Sequence, residues 1–567
     1  MPLARRSLLT FALGLCSAGS IGAQTVLHEF DGDGQGDRLG TSVAVAGDVD
    51  GDRVPDIIAG SIFDLNHGTG AGMARVYSGA TGATLFTFHG TSNLDFFGHA
   101  VDGAGDVNGD GYDDLVVGAP YADPNGSSSG SATVFSGFDG SVLHTLEGEA
   151  GNDQFGYAVS AAGDLDGDGF DDVLVGAWLH DSGTADTGRA QVFSGRDGTL
   201  LLELDGASTG DNFGRSVGLV GDIDGDLVPD YVIGAYRADA NGTDSGSAYV
   251  FSGATGAVLW TFHGASADDH FGYSVAGAGD VDADGVADVI VGALDADGIA
   301  TSGGMARVFS GATGAVLHTF QGVVALGQLG NAVGGAGDID GDGHADLIVG
   351  SFGESTTGPD AGAVRVFSGA DGSVLFLQNG ATGTERFGWA VDGGADIDGD
   401  VLPDLVIGVR GKDSNGNFDA GGCVVYDAGF VGDAGAWTIY GTACPGTGGR
   451  IPRIGHLGRP QVSSTIGFTL RGAPAFAAAT LLYGNPQPVP VPLDIIGLIG
   501  CTLYNSPFVN QPAPCDANGR ASITIPLSAD PGQIGSVREM QWVVADPGAP
   551  YALPLSLSDG LELHIGG

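Results

Sequence analysis

The chain has 567 residues, 105 of them glycine, more than twice the usual share of about 7%, and so glycine-rich a chain is not mostly helical. Its 69 acidic side chains against 20 basic ones leave a formal net charge of −49, which excludes nucleic-acid or anionic-membrane recognition through a basic face. Because 43% of the residues are hydrophobic, an acidic disordered chain is excluded too, and the length calls for more than one domain.

At the N-terminus, residues 1–23 carry Arg5 and Arg6, the apolar run Ser7 to Leu15 and the small-residue end Ile21-Gly22-Ala23. This is the layout of a cleaved signal peptide, and it predicts a secreted mature chain beginning near Gln24. Arg5-Arg6-Ser7-Leu8-Leu9 also fits a twin-arginine export pattern loosely, while the bulk of Leu15 argues against lipidation at Cys16. No later run is long enough to span a bilayer. Removing Cys16 leaves Cys423, Cys444, Cys501 and Cys515, an even set in an oxidising compartment with no CxxC pair. Disulfides are therefore expected; Cys501 with Cys515 is favoured, although four cysteines allow three pairings.

The next feature is a repeat. Segments close to Gly-Asp-apolar-Asp-Gly-Asp place their leading aspartates at Asp48, Asp106, Asp164, Asp222, Asp280, Asp338 and Asp396, each 58 residues after the last. One unit, Gln154 to Gly206, reads FGYAVSAAGD, a turn-like loop, DVLVGA, a polar loop, RAQVFSG, RDGT and LLLELDG. Four short strand-like runs are separated by Gly/Asp/Ser turns, the last two joined as a tight hairpin. Seven such units predict an all-β, seven-bladed β-propeller over residues 24–430. The seventh unit has a third strand at Gly422 to Tyr426, but 431–438 breaks the fourth-strand pattern. Thr25 to Gly32 has that pattern and lies six repeat lengths before Ser373 to Gly380. The N-terminal strand is thus expected to complete blade seven and close the ring.

Between the first two strands of every unit stands DxDxDxxxD. The sets are Asp48, Asp50, Asp52, Asp56; Asp106, Asn108, Asp110, Asp114; Asp164, Asp166, Asp168, Asp172; and Asp222, Asp224, Asp226, Asp230. They continue as Asp280, Asp282, Asp284, Asp288; Asp338, Asp340, Asp342, Asp346; and Asp396, Asp398, Asp400, Asp404. Oxygen side chains at positions 1, 3, 5 and 9 with a carbonyl at position 7 suit a hard cation of six or seven oxygen ligands, and calcium, at up to seven sites, is the expected ion. Several carboxylates so close repel strongly without a counter-ion. Position 12, for example Val175, is apolar, so the loop is not an EF-hand. The competing reading makes these aspartates simple Asx turns. Position 6 is glycine at Gly111, Gly169, Gly285 and Gly343, but Arg53, Leu227 and Val401 stand there in blades one, four and seven, each followed by Pro55, Pro229 or Pro403. Weaker or differently shaped sites are expected in those three blades.

These units resemble FG-GAP repeats of the propeller in integrin α-subunits. Phe97-Gly98, Phe155-Gly156, Phe213-Gly214, Phe271-Gly272 and Phe387-Gly388 carry the first signature, with Leu39-Gly40 and Leu329-Gly330 as variants, and Gly118-Ala119-Pro120 carries the second. Other units lack the proline, as in Gly176-Ala177-Trp178, Gly234-Ala235-Tyr236 and Gly350-Ser351-Phe352. The resemblance implies calcium loops on one face, a ligand on the opposite face, and a rigid platform for cell adhesion or for recognition of an extracellular protein or matrix polysaccharide. Tyr121, Trp178, Tyr236, Arg237, Phe352 and Arg410 are the candidates on that opposite face, with packing between blades as the plainer role for Trp178, Tyr236 and Phe352. Integrin leg and membrane-spanning segments have no counterpart here.

From about Ala434 the composition shifts to proline, and short β-like runs predict a small β-sandwich-like accessory domain over 434–567. Its Tyr440-Gly441-Thr442-Ala443-Cys444-Pro445-Gly446 start and its end near Gly560 to Gly566 are similar to a domain that terminates many exported bacterial proteins, a sorting module or a cap. Two other functions compete with the platform: a secreted polysaccharide-active enzyme built on the propeller, and a structural envelope protein. The histidines argue against the first. His28, His144 and His318 share a repeat position with Phe86, Leu202, Trp260 and Phe376, an interchange that indicates packing. No nucleophile–base set or HExxH occurs, so the expected class is non-enzymatic. Ligand identity and oligomeric state do not follow from the sequence.

Overall fold

The computed structural model describes residues 25–428, apart from 66 and 415, together with the backbone of strands between 435 and 565. The expected signal peptide, Cys444, Cys501 and Cys515 lie outside the described residues. The chain is all-β: seven four-stranded antiparallel sheets form the blades of a propeller. Blade three shows the pattern in chain order, with Phe155–Gly163 innermost, then Asp172–Ala177, Arg189–Phe193 and Leu200–Asp205 at the rim.

Each second strand is buried along its whole length, because both of its faces meet a neighbouring blade. Such strands read as continuous apolar runs, as in DVLVGA, in place of alternation. Rim strands bury one face only. The hydrophobic core is correspondingly divided among the blade interfaces. Leu174, Val192 and Phe213 pack with Tyr231, Ile233 and Phe251 between blades three and four, and an equivalent cluster fills each of the other interfaces.

The two halves of the repeat signature meet across these interfaces. The aromatic residue of Phe155-Gly156 is 2% exposed, and its strand forms a parallel bridge to Gly130 of the preceding blade. Gly156 sits at φ +82°, and a Cβ there would stand 2.2 Å from the Ser131 carbonyl oxygen. In the preceding blade, a Cβ on Gly118 would stand 2.0 Å from the Gly156 carbonyl oxygen. Backbones approach so closely only where both residues lack a side chain, which is the physical reason the two glycines recur in phase.

Ring closure follows the expected circular permutation. Val26–Asp31 pairs antiparallel with Gly422–Tyr426, giving the last sheet an N-terminal rim strand, and Leu39 bridges Gly421 to join blades one and seven. Lys412 strengthens the seam with ion pairs to Glu29 and Asp31. Cys423 is fully buried in this interface as a free thiol, which corrects its inclusion among the expected disulfide cysteines. Ile57, Met73 and Val406 belong to the same cluster, and burial, opposed in part by Lys412, pushes its thiol up to about 12. Past the ring, the described strands pair into a six-stranded and a three-stranded sheet. Among the described residues no helix is long and apolar enough to cross a membrane.

Candidate metal centres and the axial mouth

The aspartate loops all leave the inner strand and enter the second, so the sevenfold topology gathers them on one face. Blade three illustrates the local geometry. The Asp164 carboxylate accepts the backbone N–H of Asp168 (3.0 Å) and of Gly169 (2.9 Å); Asp166 accepts Asp168 N–H (3.1 Å), and Asp168 accepts Phe170 N–H (3.1 Å). These are Asx turns, and they preform the loop. Asp172 does something different. It is fully buried, its Oδ2 accepts Leu165 N–H at 2.8 Å, and its Oδ1 accepts Gly195 N–H at 2.9 Å from the turn between the third and fourth strands. Position 9 therefore ties each loop to its own blade, and Asp56, Asp114, Asp230, Asp288 and Asp346 repeat both bonds. Asp404 does the same with Ile397 and Ala428.

In at least five loops the carboxylates of positions 1, 3 and 9 converge, with one oxygen from each lying within 4.8 Å of the others. They include Asp48, Asp50, Asp56; Asp164, Asp166, Asp172; Asp222, Asp224, Asp230; Asp280, Asp282, Asp288; and Asp338, Asp340, Asp346. Position 5 is not a member of these five groups. In blade two, Asn108 turns its amide on Asp114 (3.3 Å). Burial, only partly opposed by the backbone N–H donors, pushes the position-9 carboxyls up, to about 6 at Asp172, about 7 at Asp56 and about 8 at Asp404. A cation would offset that desolvation, so the donor set fits a hard divalent ion.

The blades without glycine at position 6 keep a left-handed residue there. Arg53, Leu227 and Val401 adopt φ of 74°, 73° and 81°, beside 90–94° at the four glycines, and blades one and four form carboxylate groups of the same three positions. The Asx bond from position 1 to the position-6 N–H is kept at 2.9 Å in all three. The framework imposes the turn, at a cost of about 1–3 kcal/mol of backbone strain per non-glycine residue.

Along the propeller axis runs a channel. Val43, Val101, Val159, Val217, Val275, Val333 and Val391, one from each inner strand, form a ring common to two cavities. The cavity toward the aspartate loops, about 490 Å³, holds Asp102 and Asp392, whose carboxyls burial pushes up to about 7 and about 6. The cavity at the opposite face, about 350 Å³, opens among Thr41, His99, Tyr157, Arg215, Tyr273, Asn331 and Trp389, with Phe352 and Arg410 above them. Each of the first seven directly follows the FG glycine. Sequence reasoning missed this ring; the signal available was a repeat position that changes character in every unit while its neighbours stay constant.

Of the six residues expected on this face, Phe352 and Arg410 line the mouth. Phe352 packs 4.7 Å from Trp389, and the Arg410 guanidinium lies 4.0 Å above the same indole. Trp178 and Tyr236 stand behind them: Trp178 is 5.0 Å from Tyr157 and Tyr236 is 5.8 Å from Tyr273, and the Trp178 indole N–H donates to Gln154. Tyr121 packs on Phe96, and Arg237 is exposed beside Tyr236. The rim histidines prove to be more than apolar fillers. His28 and His318 Nε2 bond the carbonyls of Gly79 and Gly369 in the next blade at 2.6 Å, and Trp260 Nε1–H does the same to Gly311 at 2.7 Å.

Fold and repeat together define a seven-bladed propeller of FG-GAP repeats. The FG-GAP repeat family model matches residues 97–135, 155–193 and 329–367, and a second FG-GAP repeat model matches 201–251; the propeller is accordingly built of FG-GAP repeats, and its relatives are integrin α-subunits. It is 35% identical to integrin alpha-5 of Xenopus laevis over 215 residues, 35% of this chain and 20% of that protein. To integrin alpha-V of Gallus gallus it is 32% identical over 221 residues, again 35% of this chain and 20% of that protein. The chain thus spans about a fifth of the length of these relatives. A solved structure of a fungal alcohol oxidase of the AA5 family, in complex with copper, is similar at a TM-score of 0.43 and 12% identity over 95% of this chain and 99% of that one.

Proposed function

We propose that this chain is a secreted, calcium-stiffened recognition platform that acts in adhesion or in binding an extracellular protein or matrix polysaccharide, and that it is not an enzyme. The observation that carries this reading is the division of labour between faces. Aspartate loops crowd one face, at least five of them converging carboxylates whose burial needs a counter-charge, while aromatic and basic side chains surround the mouth on the other. In this reading positions 1, 3, 5 and 9 of each loop, with Asn108 in blade two, hold the ion, which stiffens the loop already preformed by Asx turns. Its role is structural, and the opposite face meets the ligand. The segment 434–567 serves as an accessory module for sorting, attachment or capping.

The test is binding of the labelled full chain to its own cell envelope and to a polysaccharide panel, in millimolar calcium and in chelator. Saturable binding lost in chelator is the expected result. Absence of binding in both conditions, or appearance of cleavage products, refutes the platform.

A further inference from the structure

Not every arginine of this acidic protein meets a carboxylate. Arg75, Arg189 and Arg365 are neutralised by carboxylates. Arg215 and Arg410, both lining the axial mouth, form no ion pair among the described residues. Aromatic rings hold them instead: Arg215 lies 4.6 Å from the Tyr157 ring centroid and 4.3 Å from that of Tyr273, and Arg410 lies 4.0 Å from that of Trp389.

Stacking engages the flat face of a guanidinium and leaves its in-plane N–H donors for an acceptor; Arg215 turns one toward Tyr273. The Arg410 Nε is buried with no hydrogen-bond partner, an omission that costs free energy unless something supplies an acceptor. Burial and the neighbouring Arg38 and Arg386 push Arg410 down to about 10, as expected where like charges gather without a counter-ion. The one carboxylate in the adjoining cavity of about 240 Å³, Asp419, makes no ion pair with it. Two other polar groups of the mouth are already engaged: Thr41 donates to the Arg38 carbonyl, and Asn331 donates to the Gly388 and Trp389 carbonyls.

We propose that the axial mouth binds the carboxylate of a sugar acid, free or at the end of a saccharide chain, edge-on to the guanidiniums of Arg410 and Arg215. This rests on the platform reading and names the chemistry of its ligand. A cavity of about 350 Å³ lies at the lower end of the range for small-ligand sites, and the ring of valines bounds its inner end, so a ligand enters end-on. The loops around the mouth expose Asp123, Asp181, Asp239, Asp297, Asp360 and Asp413. That acidic rim repels a polyanion or acidic peptide lying across the face and admits a single compact anionic end.

The experiment is calorimetric titration of the full chain with glucuronate, with glucose as the neutral match, with an oligosaccharide ending in glucuronate, and with a short aspartate peptide. Saturable 1:1 binding of glucuronate and none of glucose is expected. Arg410→Met should weaken it at least tenfold, and Arg410→Lys, which keeps the charge and loses the fork, should weaken it less. Arg215→Met should act like Arg410→Met if its melting is unchanged; Arg410→Met at the more open position decides the matter if it is not. Tighter binding of the oligosaccharide than of glucuronate assigns a chain end; equal binding assigns the free acid. The proposal is overturned by absence of glucuronate binding at tens of millimolar, by equal binding in wild type and Arg410→Met, or by arginine-dependent binding of the peptide alone. Envelope binding that persists in Arg410→Met without acid binding overturns this site and leaves the platform standing; acid binding without envelope binding does the reverse.

Discussion

Asp166→Ala and Asp172→Ala, in the same loop of blade three, separate the metal role from the structural one. Asp166 is exposed and accepts a single turn bond from Asp168 N–H at 3.1 Å. Losing it costs at most about 1 kcal/mol without metal. With calcium at about a hundred times its Kd, a bound site contributes about 2.7 kcal/mol, and for a cooperative unit of about 400 residues this corresponds to a Tm change of about 3 °C. Asp172→Ala removes the acceptor for two backbone donors, Leu165 N–H and Gly195 N–H, at about 1–3 kcal/mol each. That variant should lose about 2–6 kcal/mol even in chelator. The assay is thermal unfolding of both variants in calcium and in chelator. Asp166→Ala should match wild type in chelator and fall below it in calcium, while Asp172→Ala should fall in both. Unchanged melting of Asp166→Ala in calcium refutes a local metal, and a metal-dependent loss confined to calcium for Asp172→Ala refutes its role as a tie.

Other outcomes follow from single features. Val401→Gly should raise stability by about 1 kcal/mol in urea unfolding, since a β-branched residue at φ +81° is strained by more than glycine costs in unfolded-state entropy. Asp102 is raised to about 7 in the channel by burial and by Asp392, so its protonated form is favoured by folding. Its contribution is present below the unfolded value near 4 and is lost as pH rises through about 7. Wild type in chelator should therefore lose Tm between pH 5 and pH 8, and Asp102→Asn should flatten that slope. Cys423, its thiol pushed up to about 12 by burial, should resist alkylation at pH 8 in the native protein and react once the chain is unfolded in denaturant; labelling of the native chain at the rate of a free thiol would contradict its burial.

A period of 58 residues, four strand-like runs per unit and a displaced final strand determined the seven-bladed ring and its closure before any coordinates, because each is a property of spacing along the chain. The aspartate loops were legible for the same reason. Their inner economy was not: Asp172 and Asp166 look alike in sequence, and only the fold buries the first between Leu165 and Gly195 while leaving the second in solvent. Likewise Arg53, Leu227 and Val401 argue locally for altered turns, yet the surrounding strands and Asx bonds hold φ in the left-handed region that glycine favours. The axial mouth belongs wholly to tertiary structure. His99, Tyr157, Arg215 and Trp389 are separated by multiples of 58 residues and share no local signature beyond the preceding glycine. Ring closure brings them around one axis, and only there do unpaired guanidiniums meet the rings that hold them.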